Sequence, residues 1–130
     1  MGLGLVAAWA WVSQPEEPLR PERYVEAGDD LSRWVELGGV GILTSENFVG
    51  HRIRVIEGSL TNVSDQPLVS VELLLTFRSV EGDPILESSE EALERPLDPG
   101  GGRRYVFRFE NLPPDWDYRV PVVTLVRVGL

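Results

Sequence analysis

The stretch VSVELLLTFR, residues 69–78, decides the fold class of this 130-residue chain. Apolar side chains recur at every second position of the stretch, and Leu74 is the one apolar residue among the polar positions between them. A period of two is typical of a β-strand that has one face in a core and the other in solvent. We therefore predict a strand with Glu72 exposed and with a buried face formed by Val71, Leu73, Leu75 and Phe77.

The stretch RRYVFRFE, residues 103–110, repeats this alternation with aromatic residues. It predicts a strand that buries Tyr105, Phe107 and Phe109 and exposes Arg104 and Arg108. Dense turn clusters punctuate the chain at residues 62–67, 81–84 and 98–102, and the more polar residues 85–94 read as an edge strand. About six to seven strands with no helical stretches between them predict an all-β, immunoglobulin-like antiparallel β-sandwich.

Residues 30–37 fit two structures. Asp30 is a suitable N-cap for a short helix that Gly38 would end. Alternatively, residues 34–37 begin a strand that continues through residues 40–43, with Gly38 and Gly39 forming a bulge. We favour the strand, because a β pattern dominates the sequence that follows.

The N-terminal third divides into segments of different composition. Residues 1–12 are uncharged and apolar, about half the length that a membrane-spanning helix needs. They are the remnant of a membrane anchor, a degenerate signal peptide, or an element packed on the fold. Residues 13–33 are rich in proline and glutamate and read as a linker, so we assign the sandwich domain to residues 34–130.

Composition excludes several classes of function. The chain has no cysteine, which removes disulfides and thiolate chemistry, and its formal net charge is −9. No basic run exceeds the pair Arg103 and Arg104, so we expect no nucleic-acid partner. All twelve basic residues are arginine, which we attribute to a GC-rich, bacterial genome.

The turn at residues 56–68 (IEGSLTNVSDQPL), the alternating strand after it and the turn Leu97-Asp98-Pro99-Gly100 resemble a bacterial pattern. They are similar to FxLYD-type domains and related membrane-anchored proteins of unknown function, over roughly residues 45–130. The resemblance implies an immunoglobulin-like sandwich outside the cytoplasm. It implies no catalytic residues, because none are established for that family.

No set of side chains in the sequence suits catalysis. His51 is the single histidine, so a multi-histidine metal site and a readily assembled triad are both ruled out. Asp115 and Asp117 have the spacing of two calcium ligands, but the rest of a calcium loop is missing. Asn62 begins a glycosylation acceptor triplet, which we read instead as turn chemistry. We therefore predict a non-enzymatic protein with no metal site and no cofactor.

The loop at residues 112–118 is the best candidate for binding. It combines two prolines with large aromatics flanked by acids, and the candidate binding residues are Trp116, Tyr118, Asp115 and Asp117. The acids would favour a partner with arginine or lysine opposite. The alternative is that Trp116 folds back and closes the end of the sandwich.

These observations predict a non-catalytic interaction or scaffolding domain that binds a protein partner. The apolar start followed by a linker indicates a domain tethered to the membrane of a bacterial cell envelope, outside the cytoplasm. The alternative is a soluble accessory module of the carbohydrate-binding type, which would need two or three coplanar exposed aromatics. The sequence does not determine the oligomeric state.

Overall fold

The computed structural model describes residues 20–26, 30–46 and 52–130, and these form two antiparallel sheets around a common core. This confirms the predicted all-β antiparallel sandwich. The described residues contain one 3-10 turn and no α-helix. The strands are β1 (Tyr24–Glu26), β2 (Val35–Glu46), β3 (Arg52–Asn62), β4 (Ser70–Arg78), β5 (Pro84–Glu91), β6 (Gly102–Glu110) and β7 (Val122–Gly129).

The strand order is β1-β7-β4-β5 in the four-stranded sheet and β2-β3-β6 in the three-stranded sheet. The chain passes from one sheet to the other after β1, after β3, after β5 and again after β6, so the passage through β4 and β5 separates the hairpin β2-β3 from β6 beside it. Such crossed connections between two antiparallel sheets are those of an immunoglobulin-like sandwich. Strand β5 lies at an edge, as its polar composition predicts.

Strand β4 supplies the centre of the core. Val71, Leu73, Leu75 and Phe77 are fully buried, which confirms the predicted register. Glu72, predicted to be exposed, is half-buried because β4 is a central strand with β7 and β5 on either side. On β6 the alternation is also as predicted, with Arg104 and Arg108 exposed and Tyr105 buried. Phe107 and Phe109, expected to be largely buried, are only half-buried because β6 is an edge strand of its sheet.

Residues 30–37 combine the two structures that their sequence fits. Asp30 caps a 3-10 turn at Leu31–Arg33, and its carboxylate accepts hydrogen bonds from the Ser32 hydroxyl and amide, which lower the pKa of Asp30. The turn ends after one cycle, and β2 starts at Val35. The pairing of β2 with β3 shifts register between Leu37 and Val40, which is the predicted glycine bulge.

The linker prediction for residues 13–33 is wrong at its C-terminal end. Tyr24–Glu26 pair with β7, and Val25 is 9% exposed within the core. The proline-rich composition hid this strand because only three residues pair. Residues 1–12 and 13–19 lie outside the described residues. Within the described ranges, no helix has the length and apolarity needed to cross a bilayer.

The turn after β3 is organised by a buried asparagine. The Asn62 side chain is 0% exposed, and its Nδ2 donates to the backbone oxygens of Gln66 (2.8 Å) and Leu97 (3.0 Å). Its Oδ1 accepts from the Ser64 amide (3.0 Å) and the Ser64 hydroxyl (2.6 Å). The turn interpretation of Asn62 is therefore right, because an amide used in this way is not accessible to a glycosylating enzyme.

Candidate functional site

The loop between β6 and β7 is fixed to the end of β4. Residues 113–116 form a turn in which the Trp116 amide donates to the Pro113 oxygen (3.1 Å). The Asp117 amide then donates to the Arg78 oxygen (2.9 Å), and Ser79 forms an isolated β-bridge with Trp116. The two prolines restrict the backbone of the turn, so the loop presents its side chains in a defined direction.

Trp116 is part of the core. It is 3% exposed, and its ring packs edge-on against Phe77 with centroids 6.0 Å apart. Its indole N–H donates to the Arg119 oxygen (3.2 Å), so the polar atom of the ring is satisfied. This is the fold-back arrangement that was the alternative for Trp116. Trp116 is therefore not an exposed aromatic, and its binding role stays a prediction that applies to the part of the ring lining the cavity described below.

Tyr118 carries the exposed aromatic surface of the loop. Its side chain is 65% exposed, and its ring centroid lies 5.0 Å from that of Trp116. Its backbone has φ 62°, in the left-handed region that is costly for a bulky residue. Asn111, at the start of the loop, has φ 56°, so two left-handed residues bracket the segment.

Arg54 completes the site, although no motif in the sequence indicates it. Arg54 is paired with Phe109 and Thr44 in the sheet, so it lies on the inward face of β3. Its guanidinium lies 5.4 Å from the Trp116 ring centroid and 5.6 Å from that of Tyr118. On β3, the buried residues Ile56, Gly58 and Leu60 occur at every second position. Counting back by two from Ile56 gives Arg54, so this periodicity could have identified Arg54 as an inward-facing residue.

These groups surround a cavity of about 270 Å³ at the end of the sandwich. Arginine supplies its charged lining, from Arg52 and Arg54, although the chain as a whole is acidic. Its other walls are aromatic side chains, an amide and apolar loop residues: Phe109, Asn111, Leu112, Pro113, Pro114, Trp116 and Tyr118. An arginine-lined cavity with aromatic walls is suited to an anionic group attached to an apolar one.

The two acids predicted to contact a partner do not line the cavity. Asp117 is half-buried, and its carboxylate accepts a hydrogen bond from the Arg119 amide (2.9 Å), so it shapes the turn. Asp115 is exposed at the tip of the turn. The four predicted site residues therefore lie in one loop but have different environments. The Trp116 ring is buried and the Tyr118 ring is exposed, whereas Asp117 shapes the turn and Asp115 is solvated. His51 lies outside the described residues.

No protein-family model matches the chain, and it has no match among the curated proteins or among the solved structures.

Proposed function

We propose that this chain is a non-catalytic interaction domain that binds a protein partner through the Tyr118 end, by which we mean the 111–118 loop, Arg54 and the cavity between them. We further propose that its N-terminal segment tethers it to a bacterial membrane, in the manner implied by its resemblance to FxLYD-type domains. The support comes from the geometry of the site and from the positions of the two ends of the sandwich.

The observation that carries the proposal is the conformation of Tyr118. The left-handed backbone conformation is most favourable for glycine. For a tyrosine it raises the free energy of the folded state by on the order of 1 kcal/mol or more. A 65% exposed ring recovers little of that cost by burial. A large aromatic held in water by a strained backbone is therefore better explained by contact with a partner than by stability of the fold.

The two termini of the described fold support a tethered arrangement. The Glu22 amide donates to the Leu130 oxygen (2.7 Å), which places the start of the described chain beside the end of β7. The Tyr118 end lies at the opposite end of the strands, because Trp116 bridges Ser79 beyond the far end of β4. A tether attached before residue 20 would leave the cavity facing away from its attachment.

The carbohydrate-binding alternative has weaker support. A flat sugar-binding platform needs several exposed coplanar rings, but Trp116 is buried and its plane lies at 40° to that of Tyr118. Tyr118 is the one largely exposed ring at this end of the described fold. The site is a cleft with a cationic wall, which suits a peptide better than a sugar face.

Tyr118→Ala tests the protein-binding proposal. We expect the immobilised wild-type domain to capture a reproducible set of proteins from a bacterial extract, and Tyr118→Ala to lose them while keeping the wild-type circular dichroism spectrum. Tyr24→Ala is the matched control, because Tyr24 is 45% exposed at the other end of the sandwich. Equal capture by all three proteins would show that the interface lies elsewhere.

Deletion of residues 1–12 tests the tether. We expect the full chain to sediment with the membrane fraction and the deleted chain to remain in the supernatant, because the apolar segment supplies the membrane affinity. Membrane association that persists after the deletion would contradict the proposed anchor without affecting the binding site.

A further inference from the structure

We infer that the cavity at the Tyr118 end recognises the carboxylate of a single aspartate or glutamate in a peptide segment, with Arg54 as the residue that binds it. This deepens the proposed function and rests on it. It also reverses the charge preference that Asp115 and Asp117 suggest in the sequence, because neither acid lines the cavity.

Arg54 lies on the inward face of β3. Arginine on the inward face of a sandwich strand is costly unless its charge has a partner. Among residues 20–26, 30–44 and 52–130, whose side chains the structure describes, no carboxylate forms an ion pair with Arg54, and the Arg54 Nη1 donates a hydrogen bond to the Thr44 hydroxyl. The guanidinium therefore lines the cavity, and within those same ranges its Nε and Nη2 donate no hydrogen bond.

The Arg54 guanidinium is held in place by a hydroxyl and two aromatic rings. The Thr44 hydroxyl fixes one nitrogen, and the rings of Trp116 and Tyr118 lie within 5.4 Å and 5.6 Å of its central carbon. Cation–π contacts of this kind orient the group without neutralising it. The result is a pre-oriented cation at the wall of a partly enclosed cavity, where a charged hydrogen bond is stronger than in open water.

The geometry and charge of the site favour a single carboxylate as the anion. A guanidinium edge with two parallel donors matches the two oxygens of a carboxylate. A formal net charge of −9 opposes polyanions such as nucleic acid or polyphosphate, and their repulsion grows with each additional charge. A volume of about 270 Å³ admits a side chain but little more. One carboxylate on a peptide satisfies all three conditions.

The surface around Arg54 suits an apolar group next to the carboxylate of the ligand. The walls beside Arg54 are apolar or aromatic, and Tyr118 extends from them into solvent. An apolar side chain next to the ligand's acid can pack against the Tyr118 ring and the Pro113–Pro114 turn. The ligand chemistry is thus a short peptide in which a glutamate or aspartate adjoins an apolar residue.

Titration of the ¹⁵N-labelled full chain with defined probes tests this inference. The probes are the capped peptide Ac-Ala-Leu-Glu-Ala-NH₂, its Gln analogue and inorganic phosphate, followed through the Arg54 Nε–H and Trp116 Nε1–H resonances. We expect saturable shifts with the Glu peptide and none with the Gln peptide. Equal shifts with both peptides would exclude charge recognition, saturation by phosphate alone would exclude a carboxylate ligand, and the absence of any shift would overturn the inference.

Substitutions at Arg54 complete the test. Arg54→Gln should weaken Glu-peptide binding by about ten- to a hundredfold, the usual effect of losing a charged hydrogen bond. Arg54→Lys should fall between wild type and Arg54→Gln, because it keeps the charge without the paired donors. Arg104→Gln, which breaks the exposed 2.7 Å ion pair with Glu57, is the matched control and should bind as wild type.

The outcomes separate this inference from the proposed function. If Arg54→Gln retains full capture of partner proteins while Tyr118→Ala loses it, the interaction surface stands and carboxylate recognition falls. If Arg54→Gln lowers the melting temperature, the Arg54→Lys protein and the probe selectivity of the wild type decide the result. Wild-type affinity of Arg54→Gln for the Glu peptide would overturn the inference.

Discussion

The two ends of the sandwich differ in how far the hydrogen-bonding capacity of their polar side chains is used within the fold. At one end, the buried Asn62 side chain makes four hydrogen bonds within the turn that follows β3. At the Tyr118 end, the Arg54 guanidinium lies against two rings and lines a cavity, and Tyr118 itself has a left-handed backbone and an exposed ring. The first end, which we call the Asn62 end, serves stability, whereas the second leaves capacity for a ligand.

This difference shows how a motif can be prominent in the sequence without marking a binding site. The Asn62 turn is conspicuous in the sequence, because asparagine, a serine two residues later and a proline are all typical turn residues. The residues that form the cavity come from β3, β6 and the 111–118 loop, and no short motif contains them.

The largest effect is expected from Trp116→Ala, which tests whether the two aromatics of the loop have separate roles. Removing a 3% exposed ring that packs on Phe77 should lower the free energy of unfolding by about 3–5 kcal/mol. Urea denaturation measures the loss. A change below about 1 kcal/mol would mean that Trp116 is not part of the core, and the comparison between the two rings would fail.

Asn62→Ala tests the Asn62 end and should cost about 3 kcal/mol, because it leaves buried backbone groups of the turn without partners. The loss of stability is measured as a decrease in the midpoint temperature of thermal unfolding. Asn111→Gly is the matched control at the other end, where the exposed asparagine has φ 56° and the substitution relieves the backbone. An equal loss in the two variants would remove the distinction between the ends.

Truncation to a chain that starts at Asp30 should cost about 2 kcal/mol or more. It removes β1, whose Val25 is buried against the core, and exposes the edge of β7. A second chain that starts at Arg20 should unfold at the same denaturant concentration as the full protein, since it keeps β1. Equal stability of the two truncated chains would restore the linker assignment for residues 24–26.

Most of the fold could be predicted because alternation is a local property. The apolar phase of residues 71–77 and 105–109 follows from the residues themselves, and the turn residues between strands fix where each strand stops. Strand β1 was missed because three residues carry too little pattern, and its pairing with β7 depends on a segment more than a hundred positions away. The half-burial of Phe107 and Phe109 depends on strand order, which no local pattern contains.

The site could be predicted only in part. The loop was found because prolines and aromatics coincide in it, but the sequence could not show which ring would be buried, since that depends on Phe77 from another strand. Arg54 was missed because it stands between the apolar residues Ile53 and Val55, and simple alternation would place an arginine there on the outer face of the strand. The inward face is set by the pairing of Arg54 with Phe109 across the sheet.

The smallest effect, and the sharpest test of the Tyr118 end, is the difference between Tyr118→Gly and Tyr118→Ala. Both substitutions remove the ring, so both should lose partner capture. They differ in the cost of a left-handed backbone at φ 62°, which glycine adopts freely and alanine does not. The glycine variant should therefore be more stable than the alanine variant by about 1 kcal/mol, a difference of a few degrees in the melting temperature. Equal melting temperatures would mean that the backbone at residue 118 relaxes without cost. In that case the fold gives up no stability to hold the ring in water, and the main reason for assigning Tyr118 to a partner would be lost.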